Sequence, residues 1–186
     1  TSRRLGDGDQ AIFLINDSRT AGDYVGKFGK VLEAGVPQRV KVEFAPELAA
    51  KGRVLYDTAA RRKVTLEKGS AEFFLPPGGG RLLYLASAEL TGLKAEIAPA
   101  VRRGEKIRLR AELLAAGPVR GTQALEVEIR DSAGRRHASS GYYSLTNGAF
   151  ELEIPVARND RTGYWTVICT DLIAGHRAEA AFRVNL

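Results

Sequence analysis

The groups in this chain that could support catalysis are two histidines, one cysteine and 22 acidic side chains. A serine or cysteine nucleophile needs a base beside it, and only His137 and His176 could serve as that base. Neither histidine accompanies a nucleophile elbow of the form Gly-x-Ser-x-Gly, and both are expected to be exposed polar residues in loops. Cys169 stands between Ile168 and Thr170 and is expected to be a small core residue. The unrelated spacings of the histidines and the cysteine predict no zinc site.

Paired carboxylates are a second possible source of chemistry, because hydrolysis of a glycoside needs two carboxyl groups about 5 to 10 Å apart. Nearly all the acidic residues fall at outward strand positions or in turns, which favours a solvated structural role. Asp17, Asp23 and Asp57 are exceptions, and turn carboxylates of this kind commonly cap local backbone amides. The sequence therefore predicts no catalytic residue, and no hydrolase activity for this chain itself.

Phosphate and metal sites are also not predicted. Residues 22–27 come close to a phosphate-binding loop, but the spacing fails by one residue and Phe28 stands where a serine or threonine is required. The three glycines at 78–80 precede a predicted strand and not a helix, so they lack the helix end that binds a pyrophosphate. Asp7, Asp9 and turn carbonyls could supply oxygen ligands to calcium, although no loop has the EF-hand pattern. No cofactor is expected.

Sugar binding is the alternative function that the aromatic residues suggest, because the apolar faces of sugars stack on exposed rings. Tyr142, Tyr143 and Tyr164 are the candidate carbohydrate-binding residues. Successive residues of a strand face opposite ways, so only one of Tyr142 and Tyr143 can point outward. Trp165 shares a face with Val167 and is predicted to be a core tryptophan, which leaves Tyr164 on the other face.

The elements that must position these side chains are predicted to be strands, because apolar and charged residues alternate over most of the chain. Val40, Val42 and Phe44, for example, share one face, while charged residues occupy the positions between them. A single helical turn is predicted at 45–51. The predicted strands are 11–15, 38–44, 53–57, 63–66, 71–75, 81–86, 107–113, 125–129, 150–154, 164–170 and 178–184. The pattern indicates an all-β protein made of two tandem antiparallel β-sandwiches.

The short polar segment 87–92 is the predicted boundary, which gives domains at 1–90 and 91–186. The 28 basic and 22 acidic side chains divide equally between these two halves, so the net charge of +6 is spread over the surface and does not favour nucleic acid as a partner. No apolar run is long enough for a membrane span, and no membrane insertion is expected. A start at Thr1, without an initiator methionine or a signal segment, predicts a processed product or a piece of a longer protein.

The second half carries RGEK at 103–106, RDSAGR at 130–135, NGAF at 147–150 and GYWTV at 163–167. These turn-and-strand signatures resemble those of a macroglobulin-type immunoglobulin-like domain, as found in the macroglobulin family and in large bacterial surface proteins. The resemblance implies an immunoglobulin-like sandwich and says nothing about activity.

The first half carries LIND at 14–17, GDYVG at 22–26, RVLYD at 53–57 and FLPPGGGRLL at 74–83. These phrases resemble the small β-domains that follow the catalytic barrel in bacterial glycoside hydrolases. The whole chain is thus similar to the C-terminal non-catalytic region of a large bacterial glycosidase-like protein. The resemblance implies a secreted, periplasmic or cell-surface location, and a structural or interaction role that supports or spaces the catalytic domain. The implied partner is the rest of the parent polypeptide, with polysaccharide as a further possible partner.

Overall fold

The computed structural model of the chain describes residues 2–5, 9–20, 24–25, 30–31, 34–49 and 52–186. These residues are nearly all β. The predicted all-β sandwich class is therefore confirmed. In the described part of the chain, no helix has the length and apolar character needed to cross a membrane.

The described residues of the first half form short strands and one helical turn. The strands are β1 (Ser2–Leu5), β2 (Asp9–Ile15), β3 (Arg19–Thr20), β4 (Tyr24–Val25), β5 (Lys30–Val31), β6 (Ala34–Gly35), β7 (Gln38–Glu43), β8 (Val54–Asp57), β9 (Arg62–Val64), β10 (Ser70–Leu75) and β11 (Gly80–Ala86), and the helix α1 is Pro46–Ala49. One sheet has the order β1-β2-β11-β8-β9, and β10 pairs with β7 in another. Strands β3 and β6, and β4 and β5, form two small ribbons.

The core of the first half lies between the β1-β2-β11-β8-β9 sheet and the β10-β7 pair. Alternation along β10 buries Phe73 opposite Val40 and leaves Phe74 exposed. Leu83 and Leu85 of β11 are fully buried in the same cluster. The other face of β11 carries Tyr84 and Ala86, which are also buried. A part of the molecule outside this core must therefore cover them.

The second half is built from longer strands. They are β12 (Leu90–Ile97), β13 (Ala100–Arg102), β14 (Lys106–Ala115), β15 (Thr122–Arg130), β16 (Gly141–Thr146), β17 (Ala149–Pro155), β18 (Gly163–Asp171) and β19 (Arg177–Asn185). Their order is β12-β14-β17-β16-β15-β18-β19-β13, in one curled sheet. The sequence pattern did not predict β12, because its first residues fall in the polar segment that was taken as a linker.

The curl divides this sheet into the two layers of a sandwich. Strands β16 and β17 pair only at Thr146 and Ala149, beside the turn at Asn147 and Gly148, and then separate. Both turn residues have positive φ, 52° and 78°, as a two-residue type I′ hairpin requires. The first strand β12 pairs with β14 in one layer, and β13 then pairs in parallel with β19 in the other. This is an immunoglobulin-like arrangement.

The core of this sandwich surrounds Trp165, which is 1% exposed. Its ring lies 5.7 Å from that of Phe182, and its indole N–H donates to the Arg161 carbonyl at 3.0 Å. Cys169, on the same face of β18, is fully buried, and burial raises the pKa of its thiol to about 11. The core roles predicted for Trp165 and Cys169 are confirmed.

Candidate functional site

Buried and half-buried polar side chains cluster where the first sheet meets the second half. We call this cluster the joint and define it by Asp9, Tyr56, Tyr84, Asp171 and His176. On the face of the first sheet that points away from its own core, Tyr84 lies opposite Ala11 on one side and Tyr56 on the other. Val54, Tyr56, Tyr84 and Ala86 share one buried cluster with residues of the second half. The part of the outer face that carries these residues is therefore covered by the second half of the chain.

The joint contains a carboxylate, Asp9, which is 3% exposed. One of its oxygens accepts a hydrogen bond of 2.6 Å from the Tyr84 hydroxyl, and the other accepts one of 2.7 Å from the Ser87 backbone N–H. Burial raises the pKa of Tyr84 well above its usual range, the neighbouring Asp9 raises it further, and a hydrogen bond with Gln123 acts in the opposite direction. Tyr84 is therefore a neutral donor at every physiological pH.

A second set of contacts in the joint holds the backbone of Leu90. Its N–H donates to the Tyr56 hydroxyl at 2.8 Å, and a ring nitrogen of His176 lies 3.1 Å from its carbonyl oxygen. Burial raises the pKa of Tyr56 as well. One residue at the start of β12 is thus held by a strand of the first sheet and by the loop between β18 and β19.

That loop is itself fixed by Asp171, which is fully buried. Its two oxygens accept hydrogen bonds from the Ile173 N–H at 2.8 Å and the Ala174 N–H at 3.0 Å. At the rim of the joint Lys63 forms an ion pair of 2.9 Å with Glu89. Throughout the described residues, every buried side-chain nitrogen and oxygen has a hydrogen-bond partner. The joint is satisfied internally, which suits a structural connection.

The three candidate sugar-binding tyrosines are not brought together. Tyr142 and Tyr164 are 74% and 70% exposed, on the outer face of the sheet. Tyr143 points the other way: its ring lies 5.1 Å from Phe150 and its hydroxyl donates to the Ser139 carbonyl at 2.7 Å. Tyr143 therefore takes part in packing.

The two exposed tyrosines are far apart on the sheet. Tyr142 lies opposite Glu126, which lies opposite Thr170 on β18, and Tyr164 is six residues from Thr170 along that strand. At about 3.3 Å per residue the two rings are roughly 20 Å apart along the strand direction, so they do not form one platform. The guanidinium of Arg183 lies 6.0 Å from the centre of the Tyr164 ring. Sugar binding by these residues stays a prediction.

The histidines are less exposed than the sequence suggested. The expectation of an exposed His137 is wrong, since its side chain is only 14% exposed and its ring lies 5.2 Å from that of Trp165. His176 is half-buried because it reaches back to the joint. Asp160 lies 4.0 Å from His137, too far for a hydrogen bond, and uses the same oxygen to accept the Ala157 N–H at 2.7 Å. This pair does not form a catalytic arrangement.

The remaining acidic candidates have structural roles where the structure describes them. Asp57 is 1% exposed, pairs with Arg81, and accepts the Ala60 N–H at 3.2 Å, as expected of a turn carboxylate. Asp17 is exposed and pairs with Arg19 at 2.8 Å. Asp7 and Asp23 lie outside the described residues. Among the residues that are described, no group of three or more histidine, cysteine or acidic side chains could hold a metal ion.

Sequence reasoning missed the joint. Asp9 was considered only as a possible calcium ligand, whereas both of its oxygens are used by Tyr84 and Ser87. The available signal was the pair of tyrosines in strands that otherwise read as buried, Tyr56 and Tyr84, because a buried tyrosine hydroxyl needs a polar partner.

No protein-family model matches the sequence, and no curated protein matches it. Several solved structures are similar to about half of the chain. The CARDB domain of a Pyrococcus furiosus protein is 13% identical, with 50% of this chain and 86% of that one covered and a TM-score of 0.36. A superoxide reductase from Ignicoccus hospitalis is 13% identical, with 52% and 82% covered and a TM-score of 0.36. A β-glucosidase from Listeria innocua is 13% identical, with 53% and 16% covered and a TM-score of 0.38. These distant likenesses assign no function to the chain.

Proposed function

We propose that this chain is a rigid, non-catalytic region of a larger secreted glycosidase-like protein, in which it supports or spaces the catalytic domain. The observation that carries the proposal is the joint, in which the Tyr56 hydroxyl of the first sheet accepts a buried hydrogen bond from the N–H of Leu90, the first residue of β12, beside the buried bond between Tyr84 and Asp9. A spacer needs a fixed geometry, and buried, fully satisfied polar contacts favour one relative orientation over others. Its partner is the rest of the parent polypeptide.

The energetics support a rigid connection. A hydrogen bond to a charged group contributes about 1.5–3 kcal/mol, and a neutral one contributes about 1 kcal/mol. The bond from Tyr84 to Asp9 is of the first kind, and the bond from Leu90 to Tyr56 is of the second. Bending the two halves apart would break the bond from Leu90 to Tyr56 and would expose the apolar cluster that surrounds Tyr56 and Tyr84. Independent motion of the halves is therefore unfavourable.

The contacts of the buried polar groups also support a structural role. The buried acids cap backbone amides or pair with neighbours, and the two tyrosines of the joint are held neutral. A location outside the cytoplasm, whether secreted, periplasmic or at the cell surface, belongs to the same proposal.

Small-angle X-ray scattering and deletion would test this proposal together. The scattering profile of the isolated chain should fit a single rigid shape, and a double variant with Tyr56→Phe and Tyr84→Phe should show a larger radius of gyration. Removing the chain from the parent should lower the thermal stability or the yield of the catalytic part, while the isolated chain should not hydrolyse chromogenic glycosides. Unchanged stability, assembly and turnover after deletion would refute the supporting role.

Carbohydrate binding is the second candidate function, favoured by the exposed rings of Tyr142 and Tyr164. Titration calorimetry of the isolated chain with plant and algal polysaccharides would test it. Binding that is lost in Tyr142→Ala or Tyr164→Ala, but kept in the control Phe74→Ala on the other half, would support this function. The absence of a binding heat with every polysaccharide would contradict carbohydrate binding.

A further inference from the structure

One end of the second sandwich collects most of the net charge of the chain. Three connections between strands meet there, at 102–106, 131–140 and 156–162. The Gly104 N–H donates to the Val156 carbonyl at 2.7 Å, and the Ser132 hydroxyl donates to the Thr162 carbonyl at 2.8 Å. Together the connections hold seven basic and three acidic side chains, a net charge of +4 out of +6 for the whole chain. A charge that is even along the sequence is thus uneven in space.

Between these connections lies an open cleft of about 800 Å³, which is within the size range of small-ligand sites. His137 lines the cleft, and its ring lies 5.2 Å from that of the buried Trp165. Its Nδ1 accepts the Ser139 backbone N–H at 3.2 Å, so its Nε2 carries a proton. A carboxylate oxygen of Asp160 lies 4.0 Å from Nε2, beyond hydrogen-bond distance. The cleft therefore offers an imidazole N–H to a ligand.

The acidic side chains that line the cleft are directed to the backbone. Glu105, Asp131 and Asp160 each accept a hydrogen bond from a nearby backbone N–H, at 3.2, 2.9 and 2.7 Å. These carboxylates fix the three connections, as short turn carboxylates commonly do. The groups of the cleft that remain available to a ligand are therefore donors.

Two of the four cations that line the cleft have no acidic partner. Lys106 and Arg135 are ion-paired at 3.0 and 2.9 Å. Arg136 and Arg158 are exposed, and neither forms an ion pair within the residues that the structure describes. The stem of Arg158 lies against Gly104, where an added Cβ would be 3.3 Å from the Arg158 Cγ. A guanidinium donates parallel N–H bonds that fit the oxygens of a carboxylate or a similar oxyanion.

We propose that this cleft binds an acidic saccharide, whose carboxylate or sulfate groups accept hydrogen bonds from Arg136, Arg158 and the Nε2–H of His137. The inference rests on carbohydrate binding, the second function proposed above. It names the class of sugar and a site that does not include the exposed tyrosines.

A nucleic acid is not the expected ligand of the cleft. It presents a row of phosphates, and its binding needs a basic groove or exposed rings along its length. The cleft is confined to one end of the sandwich, and Trp165 is only 1% exposed, so its ring cannot stack on a base.

Fluorescence titration tests the proposal, because Trp165 is the only tryptophan of the chain and lines the cleft. The probes are a trimer of galacturonic acid, a sulfated galactose trimer and a neutral galactose trimer. We expect a saturable change with a charged trimer and none with the neutral one, and the comparison of the two charged trimers tells carboxylate from sulfate. Arg136→Gln and Arg158→Gln should each weaken binding by about tenfold or more, because each removes charge-assisted hydrogen bonds.

The matched control is Arg120→Gln, at an exposed arginine before the opposite end of β15, which should leave the affinity unchanged. NMR supplies a second readout, since the chain has two histidines. The ring resonances of His137 should shift on addition of the charged trimer, and those of His176 should not.

Three outcomes would overturn the inference. They are no response to either charged trimer, an equal loss of affinity in Arg120→Gln, and equally tight binding of inorganic sulfate or of a single-stranded DNA oligonucleotide. If a neutral polysaccharide binds and is lost in Tyr142→Ala or Tyr164→Ala while the cleft gives no response, carbohydrate binding stands and this inference fails. If no saccharide of either kind binds, both fail.

Discussion

The Tyr84 hydroxyl donates a 2.6 Å hydrogen bond to the carboxylate of Asp9, which lies 75 residues earlier in the chain. The two side chains share one face of the first sheet, and the other oxygen of Asp9 binds the backbone of Ser87, just after β11. The same face packs into the cluster of the second half. This contact therefore ties the start of the first sheet to the segment that leads into the second sandwich.

Removing that hydroxyl should destabilise the protein. We expect Tyr84→Phe to lower the free energy of unfolding by about 1–3 kcal/mol, because Asp9 would remain buried with one partner fewer. Urea denaturation at pH 7 would measure the change. The control is Tyr142→Phe, whose hydroxyl is on an exposed side chain and should make no measurable difference. Equal effects of the two variants would contradict the role of the Tyr84 contact.

Stability should fall at alkaline pH. Burial raises the pKa of Tyr84 and Tyr56 above 10.0, and that of the Cys169 thiol from 9.0 to about 11. Between the unfolded and the folded pKa the native state keeps a proton that the unfolded state loses, so the free energy of unfolding decreases as pH rises. The loss should begin near pH 9, with a slope of up to about 1.4 kcal/mol per pH unit for each group.

Urea titrations from pH 7 to pH 11 would check this dependence. The free energy of unfolding of Tyr84→Phe should decline less steeply above pH 10 than that of the unsubstituted chain, although the variant is less stable at pH 7. Parallel curves for the two proteins would show that the Tyr84 hydroxyl does not contribute to the pH dependence of stability.

The ion pair between Arg81 and the buried Asp57 should contribute far more to stability than the ion pairs on the surface. Arg81 pairs with Asp57, which is 1% exposed, and its guanidinium also lies 5.5 Å from the centre of the Phe73 ring. We expect Arg81→Met to lower the free energy of unfolding by about 3 kcal/mol, because it leaves a buried carboxylate without its cation.

The matched control is Arg110→Met, which removes a pair with Glu151 whose two side chains are 60% and 56% exposed. Exposed ion pairs contribute little to stability, so this variant should unfold at nearly the same urea concentration as the unsubstituted chain. A larger effect for Arg110→Met than for Arg81→Met would show that the difference in burial does not decide the outcome.

The hairpin between β16 and β17 offers a test of backbone conformation. A Cβ added at Gly148 would lie 3.0 Å from the Cβ of Val119 and 3.2 Å from the Leu113 carbonyl oxygen, at a φ of +78°. We expect Gly148→Ala to cost roughly 2–4 kcal/mol. Gly134 has a similar φ of +76° but open space around it, so Gly134→Ala should cost only about 1–2 kcal/mol. Thermal unfolding of both variants would separate the conformational cost from the steric one.

The strands could be predicted from the sequence because alternation is a local property. It places Trp165 and Cys169 on one face of β18 and Tyr164 on the other, and burial follows that division. The turn at Asn147 and Gly148 could be predicted for the same reason, since an Asn-Gly pair suits the positive φ of both residues.

Strand β12 was missed because it begins in a polar segment. Leu90 is the one large apolar residue of that segment, and it is buried only because the loop after β18 and Tyr56 of the first sheet meet there. The division of the chain at residue 90 stays a prediction. The roles of Tyr142 and Tyr164 in sugar binding stay predictions as well, and their separation along the sheet was not visible in the sequence.

The sequence by itself determined the all-β class, most of the strands and which residues of each strand share a face, because these follow from a period of two along the chain. Only the tertiary structure decided what covers each face. It placed Asp9 beside Tyr84, turned the partly buried Tyr143 towards the core and left Ile15 exposed on a face that is buried a few residues away. The physical reason is that such contacts join residues far apart in the chain, and local alternation carries no information about which distant surface will exclude water from a given face.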